Sequence, residues 1–221
     1  MITLATGALT DVAVFGAHCD DIAIGMGGTL LTLCRANPGL RVRAFVLCGG
    51  GTRRETEEVD ALSAFCPGAD VAVTVDHFPD GQTPAHWARI KQHLSAFRST
   101  LDPQLVFGPL RGDAHQDHRL LAELLPTEFR DHLVLGYEIV KWEADMPRAT
   151  IFHPLESDVA EEKARLLLKY YSSQMGHDWF DEQTFLGLSR LRGVQCHSPH
   201  AEAFIAEKAT LRFGRTNTHR N

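Results

Sequence analysis

The chain has 221 residues, 28 acidic against 22 basic, and a formal net charge of −6 at neutral pH. That length suffices for one α/β domain with a buried core, and the interleaved charges leave no basic run to grip a phosphate backbone, so nucleic acid is disfavoured as a partner and a small molecule favoured. The five cysteines, Cys19, Cys34, Cys48, Cys66 and Cys196, are odd in number and never spaced as Cys-x-x-Cys, which argues against a disulfide framework or zinc ribbon and suits a reducing cytoplasm.

Met1 to Leu9 shows no basic segment followed by a long apolar one, and no stretch approaches the roughly 20 apolar residues of a membrane span, so secretion and membrane insertion are both disfavoured. From there, short apolar runs alternate with amphipathic segments. Asp11 to Ala17, Val42 to Cys48, Val71 to Val75, Leu105 to Gly108 and Leu133 to Val140 read as strands, and their consecutive apolar positions suit burial on both faces of a parallel sheet. Gly27 to Arg35, Arg54 to Phe65, Ala85 to Leu101 and Asp117 to Leu125 carry helical periodicity between them. Beyond residue 140 the pattern weakens to helices at Ser157 to Ser172 and Asp181 to Leu191, a loop around Pro199, and a tail over 212–221 expected to fray. The order predicts a single domain over 1–221 with a Rossmann-like, doubly wound, mostly parallel sheet flanked by helices, whose ligand edge gathers the loops after successive strands.

Two clusters fall on that edge. His18-Cys19-Asp20-Asp21 follows the first strand, and His115-Gln116-Asp117-His118 follows the fourth. A catalytic zinc site takes three ligands from His, Asp and Glu and keeps a fourth position for water. Where the chain turns from strand to helix, both carboxylates can face one cavity, one to bind metal and the other to handle protons. His118 supplies a third ligand, His115 stays free to face a substrate as a cation, and Asp117 can orient either imidazole. Metal-bound water has a pKa near 7, so a neighbouring carboxylate suffices as base, and metal and His115 together would stabilise an oxyanion. Taken singly, a paired Asp in a loop is more often a turn or helix cap, and a lone His is more often structural. The conjunction at matching strand ends carries the metal reading.

These motifs resemble those of the LmbE-like, or PIG-L, family of metal-dependent N-deacetylases, whose first motif reads Ala-His-Pro-Asp-Asp-Glu and whose second reads His-x-Asp-His. Here they stand as Ala17-His18-Cys19-Asp20-Asp21-Ile22 and His115-Gln116-Asp117-His118. Gly27-Gly28-Thr29-Leu30, Arg54 with Glu57 and Ala61, Lys163, Ser173-Gln174, and Glu202 with Phe204 extend the likeness from Val12 to Phe204. The resemblance implies that His18, Asp21 and His118 bind Zn2+, with Fe2+ or another divalent first-row metal as alternatives. It implies that Asp20 is the general base, that His115 stabilises the tetrahedral intermediate and protonates the amine, and that Arg54 contacts substrate. The activity implied is removal of an N-acyl group, acetyl above all, from a small sugar-containing metabolite. Cys19 in place of proline and Ile22 in place of glutamate depart from the pattern and leave the subfamily and substrate open.

Two rivals accompany this expectation. A metal amidase acting on a non-sugar amide would use the same site. A non-catalytic nucleotide or sugar-phosphate module would instead use Gly49-Gly50-Gly51-Thr52-Arg53-Arg54 as a cradle, although neither Gly-x-Gly-x-x-Gly nor a P-loop is present. His177-Asp178-Trp179 offers a ring suited to a sugar face or to ordinary packing, and His197-Ser198-Pro199-His200 reads as an exposed loop. The sequence leaves homo-oligomerisation open.

Overall fold

The computed structural model describes residues 3–211. Seven strands, β1 (Asp11–Gly16), β2 (Arg41–Val46), β3 (Asp70–Val75), β4 (Leu105–Pro109), β5 (Val134–Tyr137), β6 (Ile151–Leu155) and β7 (His200–Ala206), form one sheet in the order β3-β2-β1-β4-β5-β7-β6. The first five are mutually parallel, as the apolar runs predict, while β7 lies antiparallel between β5 and β6. The helices are α1 (Asp21–Ala36), α2 (Arg53–Phe65), α3 (Trp87–Arg98), α4 (Gln116–Glu128), α5 (Ser157–Tyr170) and α6 (Glu182–Cys196). The expected fraying tail lies outside the described residues.

Both faces of the sheet are covered. Val12 and Val14 of β1 join a core with Leu30 of α1, Leu62 of α2 and Leu167 of α5, whereas the alternate residues Ala13 and Phe15 pack with Leu94 of α3 and Leu121 of α4. That is the physical content of an apolar strand without alternation: side chains on both faces leave water. β1 pairs with β2 on one side and β4 on the other, so strand order reverses there and the loops after β1 and β4 part to open a crevice. Among the described residues, no helix is long and apolar enough to cross a membrane.

Helix α1 begins at Asp21, six residues before the start expected from sequence, and is broken within itself, with Met26 at φ −146° and ψ 21°. A break of that kind strands backbone groups in the core, where each needs a partner. Glu202 of β7 accepts from Gly28 N–H (2.9 Å) and Thr29 N–H (2.6 Å), and Lys163 of α5 donates to Ile24 O (2.7 Å) and to Glu202 (2.6 Å). A buried ion pair from two distant elements thus mends the helix. Gly25 makes the close approach possible, because a Cβ there would lie 2.1 Å from the Tyr137 ring.

Glu58 of α2 is fully buried, accepting from Tyr171 Oη–H at 2.7 Å with one oxygen and leaving the other without a partner. Burial pushes its carboxyl pKa up to about 8, with the Tyr171 hydrogen bond opposing and the charges of Asp20 and Asp21 adding.

Two stability outcomes are expected. Glu202→Ala leaves Lys163 charged and unpaired in the core and should cost about 3–5 kcal/mol of unfolding free energy in a urea titration. For Glu58, an acid whose folded pKa of about 8 exceeds its unfolded value of 4.5, the ionisation penalty is absent below that lower value and complete above the upper one. Glu58→Gln should therefore gain on wild type as pH rises across this window, by up to about 1.4 kcal/mol per pH unit. Unfolding midpoints that stay parallel with pH would show that Glu58 ionises without penalty.

Candidate metal centre

β1 delivers Ala17 and His18 to the crevice, and the chain enters α1 almost at once. Asp20 makes the turn at φ 128°, a left-handed conformation that a residue with a Cβ holds at a cost of roughly 1–3 kcal/mol. The turn brings His18, Asp20 and Asp21 to one cleft, while Cys19 and Ile22 are buried in the apolar core beneath it. The cleft, of about 350 Å³, is also bordered by Arg54, His115 and His118.

Three atoms face one another at its floor. His18 Nδ1 and His118 Nε2 lie 3.0 Å apart, and Asp21 Oδ2 is 3.6 Å from the first and 3.3 Å from the second. Donors at 2.0–2.1 Å around a tetrahedral ion are separated by about 3.3 Å, so this triangle has the dimensions of a three-ligand face. The outer nitrogens face carboxylates: His18 Nε2 lies 3.1 Å from Asp117 Oδ2 and 3.0 Å from Asp80 Oδ1, and His118 Nδ1 lies 2.9 Å from Asp113 Oδ2, within ion-pair distance though outside hydrogen-bond geometry. With the hydrogens on those nitrogens, neutral imidazoles would turn two lone pairs toward each other beside a carboxylate. Only positive charge resolves that arrangement, whether protons or a metal ion.

The proton answer is visible in the electrostatics. Burial alone would lower His18, but Asp117, Asp21 and Asp80 carry it well above the usual histidine range. His118, likewise opposed by burial, rises to about 9 through Asp21 and Asp113. Asp21 also accepts N–H bonds from Ala17 (2.9 Å) and His18 (2.8 Å), and although burial opposes its ionisation, His118 and His18 hold its carboxyl well below the usual carboxylate range. A divalent ion satisfies the same donors with the charge of two protons, so His18, Asp21 and His118 fit the metal that the sequence implies. His18, His115 and His118 offer ligand atoms that all lie within 4.8 Å of one another, and so, as a second set, do His18, Asp80, His115 and Asp117.

Asp117 is fully buried and does not border the cleft. Its oxygens accept from Gly81 N–H (2.7 Å), Thr83 N–H (3.1 Å) and Thr83 Oγ1–H (2.7 Å) as well as facing His18. Asp117, grouped with Asp20 and His115 as a catalytic residue on sequence, faces His18 from outside the cleft, in the position of a carboxylate that orients the imidazole. Asp113, which faces His118, and Asp80 were not singled out by sequence. Each sits in a glycine-containing turn, Gly112-Asp113 and Asp80-Gly81, where an aspartate is ordinary.

Asp20 Oδ2 stands 3.0 Å from Arg54 Nη2. Burial lifts its carboxyl pKa to about 7 against the pull of Arg54. Arg54 also donates to Cys19 O, whereas Arg53 turns away to Ser172 and Glu57, which settles which of the adjacent arginines borders the cleft. His115 caps α4, its Nδ1 accepting from Asp117 N–H at 3.3 Å, so Nε2 carries the hydrogen. Burial and the charges of His118 and His18 lower its pKa, which favours the neutral imidazole over the cation expected from sequence.

The glycine-rich loop is not a cradle. Gly50 N–H donates to Asp76 O, Gly51 N–H to Glu55, Thr52 N–H to Gly49 O and Arg54 N–H to Thr52 Oγ1, so these groups are spent inside the turn. The Cys19 thiol, 1% exposed, donates to Cys48 O at 3.4 Å and is driven upward in pKa by burial, which suits packing and not ligation. His200 opens β7 and bonds Ser189 at 2.9 Å, outside the cleft.

Residues 13–127, just over half of the chain, match the model of the PIG-L family, described as GlcNAc-PI de-N-acetylase. Among solved structures, the chain is similar to the N,N'-diacetylchitobiose deacetylase of Pyrococcus horikoshii, at 19% identity and TM-score 0.67, covering 90% of this chain and 84% of that one. It is similar to the A40926 pseudoaglycone deacetylase Dbv21, at 17% identity and TM-score 0.69, covering 91% and 99%. It also resembles GalB, the 4-carboxy-2-hydroxymuconate hydratase of Pseudomonas putida KT2440, at 15% identity and TM-score 0.66, covering 94% and 100%. At such identities the likeness establishes the fold, and the fold alone serves more than one reaction.

Elemental analysis of protein purified without chelator or affinity tag should find about one divalent ion per chain, lost in the His18→Ala, His118→Ala double variant. Asp113→Asn should keep the ligands and weaken metal affinity about 10–100-fold. Unchanged metal content in the double variant would exclude this triangle as the site.

Proposed function

We propose that this chain, which belongs to the PIG-L family, is a metal-dependent N-deacetylase that removes an acyl group, acetyl above all, from the nitrogen of a small sugar-containing metabolite. The observation that carries the reading is the inward-facing triangle of His18, Asp21 and His118 with a second, unused carboxylate, Asp20, beside it. His18 Nδ1, His118 Nε2 and Asp21 Oδ2 would hold zinc, or Fe(II) in its place. When bound, such an ion supplies Lewis acidity toward a carbonyl oxygen and lowers the pKa of water.

The chain's own groups supply the rest. Asp20 takes the proton of the attacking water at a carboxylate oxygen, and a pKa near neutrality suits both that step and the return of the proton to the departing nitrogen. Arg54, 3.0 Å away, keeps Asp20 ionised against burial and orients it. His115 offers its Nε2–H to the oxygen that gains charge as the carbonyl becomes tetrahedral. Asp113 and Asp117 hold the imidazoles in the tautomers that leave the inner nitrogens free. The C–N bond breaks with one water consumed, yielding acetate and an amine.

GalB, a hydratase on the same fold, makes water addition the reading to be separated from hydrolysis. Metal-reconstituted protein should release acetate from N-acetylated amino sugars. Release from non-sugar amides alone would move the substrate class, and no release from any amide would sink the deacetylase reading. Asp20→Asn should retain the metal and lose about 10²–10⁴ in turnover. Unchanged turnover would remove Asp20 from its assigned role.

A further inference from the structure

The cleft has a second wall whose composition the metal chemistry does not explain. Trp142, His177 and Trp179 border it together with Gln174. Trp142 is 63% exposed, high for a tryptophan on an ordered segment, and it is nonetheless held. Its Nε1–H donates to Asp178 at 2.7 Å, and its ring meets His177 at 5.0 Å and 82° and Trp179 at 6.0 Å and 78°. His177 and Trp179 are themselves parallel within 5°. The neighbouring Lys141 donates to Asp113 (3.0 Å) and Asp145 (2.7 Å), so the segment bearing Trp142 is tied to the carboxylate that orients His118.

We propose that Trp142, backed by His177 and Trp179, is a stacking platform for an uncharged sugar ring adjoining the acylated one, so that the site selects neutral glycosides of two or more rings. The inference rests on the amino-sugar reading above and adds the subsite. A rigid aromatic face buries the C–H face of a pyranose with little loss of side-chain freedom. The edge of such a ring needs hydrogen-bond acceptors, and the carboxylates of Asp80 and Glu143 border the same cleft. The charge balance selects against anions. Arg54 and Lys141, the arginine and lysine on the cleft, are already committed to Asp20 and to Asp113 with Asp145, so a phosphate on the ligand would meet two carboxylates and no free lysine or arginine.

The test compares acetate release from methyl N-acetyl-β-glucosaminide, N,N'-diacetylchitobiose and N-acetylglucosamine 6-phosphate by wild type, Trp142→Ala and Trp142→Phe, each checked for an unchanged melting curve. Trp142→Ala should raise KM for the disaccharide about tenfold, leave kcat within about twofold and leave the methyl glycoside unaffected, while Trp142→Phe keeps most of the wild-type preference. Equal losses on one-ring and two-ring substrates, no loss on the disaccharide, or efficient use of the phosphorylated sugar would overturn the proposal. Should wild type hydrolyse none of the three, calorimetric titration with N,N'-diacetylchitobiose still reads the platform. Binding lost in Trp142→Ala and kept in Trp142→Phe would uphold the subsite while the amino-sugar reading fails, and no binding to wild type would overturn both.

Discussion

One carboxylate oxygen organises this molecule's chemistry. Asp21 Oδ2 faces two imidazoles while accepting N–H bonds from Ala17 and His18, and four groups converge on it from two loops that sequence separates by 100 residues. The two N–H bonds lock the end of β1 to the start of α1. The two imidazoles fix where the loop after β4 must lie. Burial opposes the ionisation of Asp21, and the two imidazoles outweigh it, so both sets of partners favour a charged carboxylate at this point. Asp21 is therefore both the hinge pin of the crevice and a candidate ligand within it.

That convergence depends on strain and on a break elsewhere. The chain leaves β1 at Gly16 and starts a helix at Asp21, with Asp20 at positive φ between them, and that helix is kinked at Met26. Glu202 with Lys163 supplies partners for the backbone groups on either side of the interruption. Elements at the far end of the chain, α5 and β7, are thereby coupled to the geometry of the first loop. Breaking a buried ion pair of this kind is costly because one charge remains, so the coupling is stiff.

What sequence could show follows from how local each cause is. The central strands β1, β2 and β4 were legible as apolar runs because burial on both faces writes itself into consecutive residues, and β3, at the sheet edge and alternately exposed and half-buried, was legible from its valines. β6 and β7 were not, since β6 lies at the sheet edge with a half-buried pattern and a proline, and β7 follows a stretch that reads as loop. The start of α1 was misplaced to Gly27 because the groups that sustain its first turns across the break lie more than 130 residues away. At the site, His18, Asp20, Asp21, His115 and His118 were legible as chemistry-bearing types in two clusters, and all border one cleft. Asp113 and Asp80 were not, because an aspartate in a glycine turn carries no mark of the imidazole it will face.

The departures at positions 19 and 22 now have a physical reading. Successive residues of the turn divide between cleft and core: His18, Asp20 and Asp21 border the cleft, while Cys19 is 1% exposed and Ile22 fully buried in the cluster with Val14 and Leu30. A cysteine at position 19 fits where it is because its thiol reaches Cys48 O and its carbonyl accepts from Arg54, the same guanidinium that pairs with Asp20. Its sulfur is also close enough to Gly49 that a Cβ there would lie 2.7 Å away, so the first and second loops are packed to each other through this residue. Ile22 places an apolar side chain in the core where the resembled motif has a charge. Both side chains therefore pack beneath the loop, apart from the cleft that His18, Asp20 and Asp21 border.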